Sequence, residues 1–465
     1  MKVVLDITRL LRRASQSTPT GIDRVEMAYV RHLLDSTQYN GQAAFVARMR
    51  ATSWYLNADT VASFIDAMDL RWKWSETRIT RRELATIEGF LGVSSGSLSS
   101  LKAGGPPNSI VRELRLPTKR LVSPANLLPF IRRPRLSRGA VYLNVSHEGL
   151  KTAGSVRRHG LRPVYFVHDL IPITHPEYVR PGEDKEHEQR MRVVLSSGEA
   201  IVCNSTHTRE QLGVFAQRSD IAMPRNFVCP LGIEEEFGTE DVEPSPSHPF
   251  FLAVGTIEPR KNHLVLLHAW RGLVEKLGPA APKLVIVGRR GWENENVIDI
   301  IERCQSLGGH VLECNRLPDV HLRWLMKRAR AVLFPSFAEG YGLPLFEALA
   351  LRVPVICSNL QAFIEVAGPV PHYLDPVDGL GWARLIEEYA KPHSELRDYQ
   401  MGQLATIKIP RWADHFSVVD EIIDSIAAPS PLKAARRSPL SVFMRRTEAV
   451  KAEASVAPSM GSVAK

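Results

Sequence analysis

The chain predicts two doubly wound α/β domains facing each other across a cleft. Three observations carry this: short β-branched runs alternate with longer helical patterns, the alternation breaks at an acidic, proline-rich stretch, and it then begins again. A length of 465 residues, at roughly 150 residues per domain, fits two or three domains. Hydrophobic residues at 44% and charged residues at 23% describe a chain that can bury sizeable cores.

In order, Val3 to Leu5, Ala44 to Val46, Val141 to Val145, Val164 to Val167 and Ala200 to Cys203 read as strands of a first domain over 1–238. Between residues 50 and 140 the pattern degrades. The helical stretches "SFIDAMDLRWKW" and "TRRELATIEGFL" run into "GVSSGSLSSLKAGGPPNS", which reads as a mobile insertion. The stretch "PLGIEEEFGTEDVEPSPSHP" contains the expected linker, 239–248. A second domain over 249–410 then offers Phe251 to Val254, Leu284 to Val287, Val311 to Leu312, Ala331 to Phe334 and Val353 to Ile356 as strands. A helix is expected over 411–428, and the basic, Ser/Ala/Pro-rich remainder, 429–465, reads as a disordered tail.

Charge narrows the partners. The net charge of +9 admits nucleic acid, an anionic membrane surface or an acidic small ligand. Residues 111–138 concentrate Arg112, Arg115, Lys119, Arg120, Arg132, Arg133, Arg135 and Arg138 against Glu113, with Leu and Phe interleaved. That mixture suits a lipid headgroup layer, and equally a solvated basic loop. Aromatic platforms for stacking bases are sparse, which speaks against nucleic acid. Five scattered cysteines without CxxC spacing argue against a disulfide framework or a zinc site and suit a reducing cytoplasm. Asp6 breaks the first apolar run, so "MKVVLDITRLL" reads as a buried strand rather than a secretory segment. No window approaches the ~20 apolar residues of a membrane span.

The chemistry gathers in two loops. In "FAEGYGLPLFEAL", residues 337–349, a strand leads through Gly340, Tyr341, Gly342 and Leu343 into a helix start marked by Pro344. Free amides at such a start favour phosphate, and carboxylates such as Glu339 and Glu347 accept hydrogen bonds from paired sugar hydroxyls. The plainer reading is one loop carboxylate and one exposed helix residue. In "VGTIEPRKNHLVLLHAW", residues 254–270, a loop delivers Arg260 and Lys261 just beyond the domain's first strand, a pair suited to a diphosphate. In the first domain, "YFVHDLIPITHPEY" puts His168 and Asp169 at a strand end, and "CNSTHTREQL" supplies Asn204, Ser205 and Thr208 as a helix start with a candidate acceptor role.

Together "VGTIEPRKN", "KLVIVGRRGW", "FPSFAEGYGLPLFEALALRVPVICSN" and "VCPLGIEEEF" resemble the retaining glycosyltransferases of family 4, with a GT-B fold of two Rossmann-like domains. The Glu, seven residues, Glu spacing marks that family. The resemblance covers 1–30 and 140–425 and is densest over 250–375.

The resemblance implies that Glu347 holds the nucleotide's ribose and Glu339 the donor sugar, while Arg260 and Lys261 grip the diphosphate. His168 matches the family's histidine beside the donor sugar. Gly21, Thr256, Gly340, Tyr341, Gly342 and Leu343 fall in donor-binding stretches, and Asp23, Arg24, His187 and Arg190 are candidate acceptor contacts. Asp23 replaces a glycine common in relatives, and Thr256 stands where relatives often carry an arginine that Arg260 can replace. The reaction implied is metal-independent, retaining transfer of a mannose-like hexose, with no cofactor beyond the substrate nucleotide-sugar, to a saccharide or lipid-linked acceptor in cell-surface polysaccharide synthesis. A GDP-sugar stands ahead of a UDP-sugar, and the site of action is cytoplasmic or peripheral at the inner membrane face. A nucleotide-sugar-binding scaffold without turnover and a sugar-nucleotide epimerase are the competing readings. A dinucleotide oxidoreductase lacks its GxGxxG after the first strand.

Overall fold

A computed structural model describes residues 2–427 apart from 17–18, 50–51, 74–78, 102–138, 151–155, 158–159, 234–245 and 316. The expected basic segment 111–138, most of the linker and the tail from 428 lie outside the described residues.

The first sheet contains β1 (Val3–Asp6), β2 (Ala43–Met49), β3 (Thr52–Leu56), β4 (Val141–Asn144), β5 (Arg162–Val167), β6 (Ala200–Cys203) and β7 (Arg225–Val228). Their order is β3-β2-β1-β4-β5-β6-β7, parallel throughout except for the β2–β3 hairpin at one edge. The second sheet is wholly parallel, in the order β10-β9-β8-β11-β12-β13. Its strands are β8 (Phe250–Val254), β9 (Lys283–Val287), β10 (Val311–Cys314), β11 (Val332–Phe334), β12 (Val355–Ser358) and β13 (His372–Leu374). In the first sheet β1, β4 and β6 are buried at every position, apolar except for Asp6 and Asn144 at the carboxyl ends of β1 and β4. In each sheet the order reverses beside the first strand, between β1 and β4 and between β8 and β11. Crevices for ligands open at the carboxyl ends of such pairs.

Two segments cross between the domains. The helix Trp412–Ala427 follows the second domain but packs on the first. There Asp420 accepts from His32 at 2.8 Å and Tyr39 at 2.7 Å, and Phe416 stacks on the His32 ring with centroids 4.0 Å apart. His415 anchors this docking, with Nδ1 2.9 Å from the Pro230 carbonyl and Nε2 2.9 Å from the Tyr29 hydroxyl.

The reverse crossing falls in the expected insertion over 50–140, whose residues 52–101, apart from 74–78, are built into the fold; residues 102–138 lie outside the described residues. Residues 52–56 are a sheet strand and Ala58–Lys73 is a helix burying Val61, Phe64, Ile65 and Met68. The helix Arg81–Leu91 starts on a capping box between Thr80 and Glu83 and buries Leu84, Ile87 and Leu91. It docks on the second domain: Lys283 lies over the Phe90 ring at 4.9 Å, Ser247 donates to the Leu91 carbonyl, and His321 bonds the Leu98 carbonyl at 3.0 Å. The Gly/Ser composition suggested mobility, but within 92–101 it marks turns and the short helix Ser97–Ser100; residues 102–109 of that stretch lie outside the described residues.

All five cysteines are free, and among the described residues there is no metal-binding cluster of acidic, His or Cys side chains. No described helix is long and apolar enough to cross a membrane.

Candidate functional site

The candidate site in the second domain is built on the β8–β11 crevice. After β8 the chain turns at Gly255, with φ 146°, and the Lys261 side chain runs over the space a Cβ there would occupy, its Cε 3.3 Å away. Thr256 follows in the same turn, half-buried beside the Gly291 backbone. Residues Pro259–Lys261 form one short turn of helix and Asn262 takes a left-handed conformation, φ 52°, before the helix His263–Leu277 begins. The Asn262 amide donates to the carbonyls of Pro335 (3.1 Å) and Pro376 (2.8 Å), tying together the loops that leave β8, β11 and β13.

Glu339 is the centre of this pocket. Its Oε1 lies 2.5 Å from Lys261 Nζ and accepts from Ser336 Oγ at 2.8 Å, and its Oε2 lies 2.7 Å from Arg260 Nη1. Arg260 also donates to the Ala338 carbonyl at 2.9 Å and pairs with Glu258 at 2.7 Å. Burial by itself would push the Glu339 carboxyl up, but Arg260 and Lys261 overcome it and hold the group down to about 2. The carboxylate is therefore ionised, oriented and enclosed, with the two cations ready to face a second anion.

The loop then passes Gly340 and Tyr341 to Gly342, whose φ of 96° and close approach to Phe363 leave no room for a Cβ. Gly342 caps the helix Leu343–Ala350, and Glu347 sits in its second turn, buried at 8% exposure.

The first domain meets this loop directly. A Cβ on Gly340 would lie 2.4 Å from the His168 carbonyl oxygen and 2.7 Å from Asp169 Cβ, so only glycine permits the approach. Asn204 Nδ2 donates to the same His168 carbonyl at 2.8 Å, and Ser205 Oγ reaches the Gly340 carbonyl at 3.4 Å. His168 is buried, its Nε2 2.8 Å from the Val145 carbonyl; desolvation lowers its pKa to about 4, so the ring is neutral at neutral pH. Gly21 faces Leu343 across the cleft, 3.3 Å from its Cδ1 at the position of a Cβ.

Three expected contacts have other duties. Asp23 is wholly buried and takes Arg9 at 2.8 Å, Arg13 at 3.1 Å and the Thr20 amide at 2.7 Å; it is a helix cap and a cation anchor, not an acceptor contact. Tyr341 is buried and its hydroxyl donates to the Leu231 carbonyl at 2.7 Å, so its side chain fastens the domain joint. His187 is buried, with Nε2 3.2 Å from the Asp169 carbonyl. Arg24 bridges the domains to Asp319 at 2.8 Å, and Arg190 pairs with Glu186 at 3.0 Å one turn back on its own helix. A capping residue, a joint tyrosine and a ligand residue look alike in sequence, because a partner distant in the chain makes the difference.

The sequence reading passed over His147, in "NVSHEGL". Its ring lies 5.5 Å from that of His168 and 4.9 Å from that of His187. The available signal was positional: His147 follows β4, a strand at the switch point.

Residues 237–370 match the family described as glycosyl transferases group 1. The O-antigen chain mannosyltransferase B of Escherichia coli is 30% identical over 223 residues, covering 47% of this chain and 58% of that protein. The serotype-specific mannosyltransferase WbdA of Escherichia coli is 27% identical over 268 residues, covering 52% of this chain and 32% of that protein. The chain thus spans less than two thirds of the length of these relatives. Among solved structures, the sucrose-phosphate synthase of Thermosynechococcus elongatus superposes with a TM-score of 0.55 at 15% identity, covering 91% of this chain and 99% of that one. An Escherichia coli structure described as trehalose-6-phosphate bound with UDP-2-fluoro glucose gives 0.54 at 12%, covering 93% and 100%. These likenesses show the fold, two Rossmann-like domains in the GT-B arrangement.

Proposed function

With residues 237–370 belonging to the group 1 glycosyl transferases and the whole chain folded as GT-B, we propose that the protein transfers a hexose, mannose-like, from a nucleoside diphosphate sugar to a saccharide or lipid-linked acceptor with retention at the sugar carbon. One observation carries this: Glu339 is ionised between Arg260 and Lys261 in the β8–β11 crevice, and the next residue, Gly340, lies directly against the His168–Asp169 loop of the other domain. Such a site offers a carboxylate for sugar hydroxyls and two cations for a diphosphate, next to a wall from which an acceptor can approach.

In this mechanism the diphosphate takes its place on the side of Arg260 and Lys261 away from Glu339. Negative charge grows on it as the glycosidic bond breaks, and the two cations stabilise that charge where it appears, each worth ~100-fold to 1,000-fold in rate. Glu347 is the partner for ribose hydroxyls and Glu339 for the donor sugar. A retaining glycosidase would set a nucleophilic carboxylate about 5 Å from its acid/base partner. The residue beside the sugar is here the neutral His168, so the acceptor hydroxyl attacks from the face the leaving group quits and its proton passes to the departing diphosphate. The cations already carry the charge, so activity should persist in EDTA.

The mannosyltransferase names of the relatives support a mannose-type donor; a GDP-sugar ahead of a UDP-sugar and a lipid-linked acceptor complete the proposal. The basic segment 111–138, outside the described residues, is the proposed contact with an anionic membrane surface.

A thermal-shift and hydrolysis panel of GDP-, UDP- and ADP-sugars, without metal, tests the reading. One sugar nucleotide that raises the melting temperature and is slowly hydrolysed supports it. Stabilisation without hydrolysis or transfer would favour a binding scaffold, and release of free nucleotide with an altered sugar and no acceptor would favour an epimerase.

A further inference from the structure

Two buried side-chain atoms near His168 lack a hydrogen-bond partner among the described residues, Asn204 Oδ1 and His147 Nε2; Asn204 is already held through its Nδ2 on the His168 carbonyl. His147 Nε2 is buried and makes no hydrogen bond among the described residues. Buried polar atoms in folded proteins are almost always paired, so an orphan at a cleft needs a reason. Its neighbours are settled: His168 Nε2 is spent on the Val145 carbonyl and His187 Nε2 on the Asp169 carbonyl. Those two bonds fix the rings that flank His147 at 5.5 and 4.9 Å, and thereby fix the imidazole between them. Arg9 and Arg190 are close enough to act on it electrostatically, and burial together with these like charges keeps the ring neutral. A neutral imidazole nitrogen can accept a hydrogen bond from a hydroxyl or donate one to it, according to tautomer. A phosphate would be served better by the arginines.

Position adds the second half of the case. His147 follows β4 at the switch point of the first sheet, and its contact partner His168 presents its backbone to Gly340 of the donor-side loop. A group bonded to His147 would stand across the cleft from Glu339's loop, on the wall formed by the first domain.

We propose that His147 Nε2 binds a hydroxyl of the acceptor saccharide and orients the sugar for attack. The assignment of that sugar as acceptor rests on the transferase reading, but the binding itself does not.

The test uses the full chain with histidine side chains isotopically labelled. Methyl α-D-mannopyranoside, the probe, is titrated while the His147 imidazole resonance, assigned by its loss in His147→Gln, is followed by NMR. The expected result is a saturable shift of His147. A resonance that stays fixed up to the highest saccharide concentration overturns the proposal. In parallel, His147→Ala should raise the acceptor KM about five- to tenfold, the worth of one hydrogen bond, with the donor Kd unchanged, and His147→Gln should recover part of the loss. An unchanged acceptor KM in His147→Ala also overturns it. Should the wild type show a saccharide-dependent shift yet use no sugar nucleotide, the saccharide site stands and the transferase reading falls.

Discussion

Lys261 and Glu339 lie 78 positions apart in the chain, yet Nζ and Oε1 meet at 2.5 Å inside the β8–β11 crevice. Arg260 reaches the other carboxylate oxygen at 2.7 Å. The charge that organises the donor pocket is thus a three-member cluster rather than a row of independent contacts. Glu339→Gln keeps the shape but removes the anion, taking from Lys261 the ion pair at 2.5 Å while Arg260 keeps Glu258. Breaking a buried pair from one side costs about 3–5 kcal/mol. The variant should unfold at clearly lower denaturant while retaining its far-UV spectrum, and should lose transfer by at least ~100-fold. Near-normal turnover would remove Glu339 from the site.

Acid should weaken the fold through its buried histidines. Burial first, in each case, lowers the pKa of His168 to about 4, of His263 to about 3 and of His415 to about 4, from an ordinary imidazole value of about 6.5. Between pH 6.5 and those values the unfolded chain takes up protons that the folded chain refuses. Stability is therefore complete above about pH 6.5 and falls as pH drops toward 4, by up to about 1.4 kcal/mol per pH unit for each group. Glu339 adds a later loss, as pH falls from 4.5 toward about 2. His415→Gln should start less stable at pH 7, where the bond to Tyr29 is weakened, but lose less on acidification. Parallel melting-temperature curves for variant and wild type would contradict this.

Gly340 marks the tightest crossing between the domains. A methyl group there would stand 2.4 Å from a backbone carbonyl, which cannot rotate away as a side chain can. Gly340→Ala should hold the domains apart while each keeps its own core. Solution scattering is expected to show a larger radius of gyration and transfer to drop about 100-fold, the cost of a misplacement near 1 Å. Scattering identical to the wild type would show that the loop yields instead.

Glu365 fastens the same joint from another side. Its carboxylate accepts from the amides of Thr206 at 2.6 Å and His207 at 3.2 Å, so a second-domain side chain satisfies the start of a first-domain helix. Glu365→Ala removes a cap worth about 1 kcal/mol, on the order of a fivefold shift away from the joined arrangement. The donor KM should rise by that factor with little change in kcat. A fall in kcat alone would argue that Glu365 acts on chemistry rather than on the joint.

Much of this was open to reading along the chain. The β-branched runs named their own strands because a strand buried on both faces reads as a nearly continuous apolar run, as β1, β4 and β6 do up to Asp6 and Asn144 at their ends. The loops after β8 and β11 were visible because a strand, a glycine turn and a helix start are local events, governed by φ, capping and proline placement within a few residues. So the sequence by itself determined the two-domain α/β plan and named Arg260, Lys261 and Glu339, which the fold joins into one cluster. Tertiary structure decided what those local events face. It buried Asp23 under Arg9 and Arg13, turned Tyr341 to the Leu231 carbonyl, left His147 unpaired between two histidines, and sent residues 81–101 and 412–427 each to the other domain. Local pattern records the period and turn chemistry of a segment. The partner of a buried face or charge is chosen by packing between segments hundreds of residues apart, and that choice leaves no periodic mark in either of them.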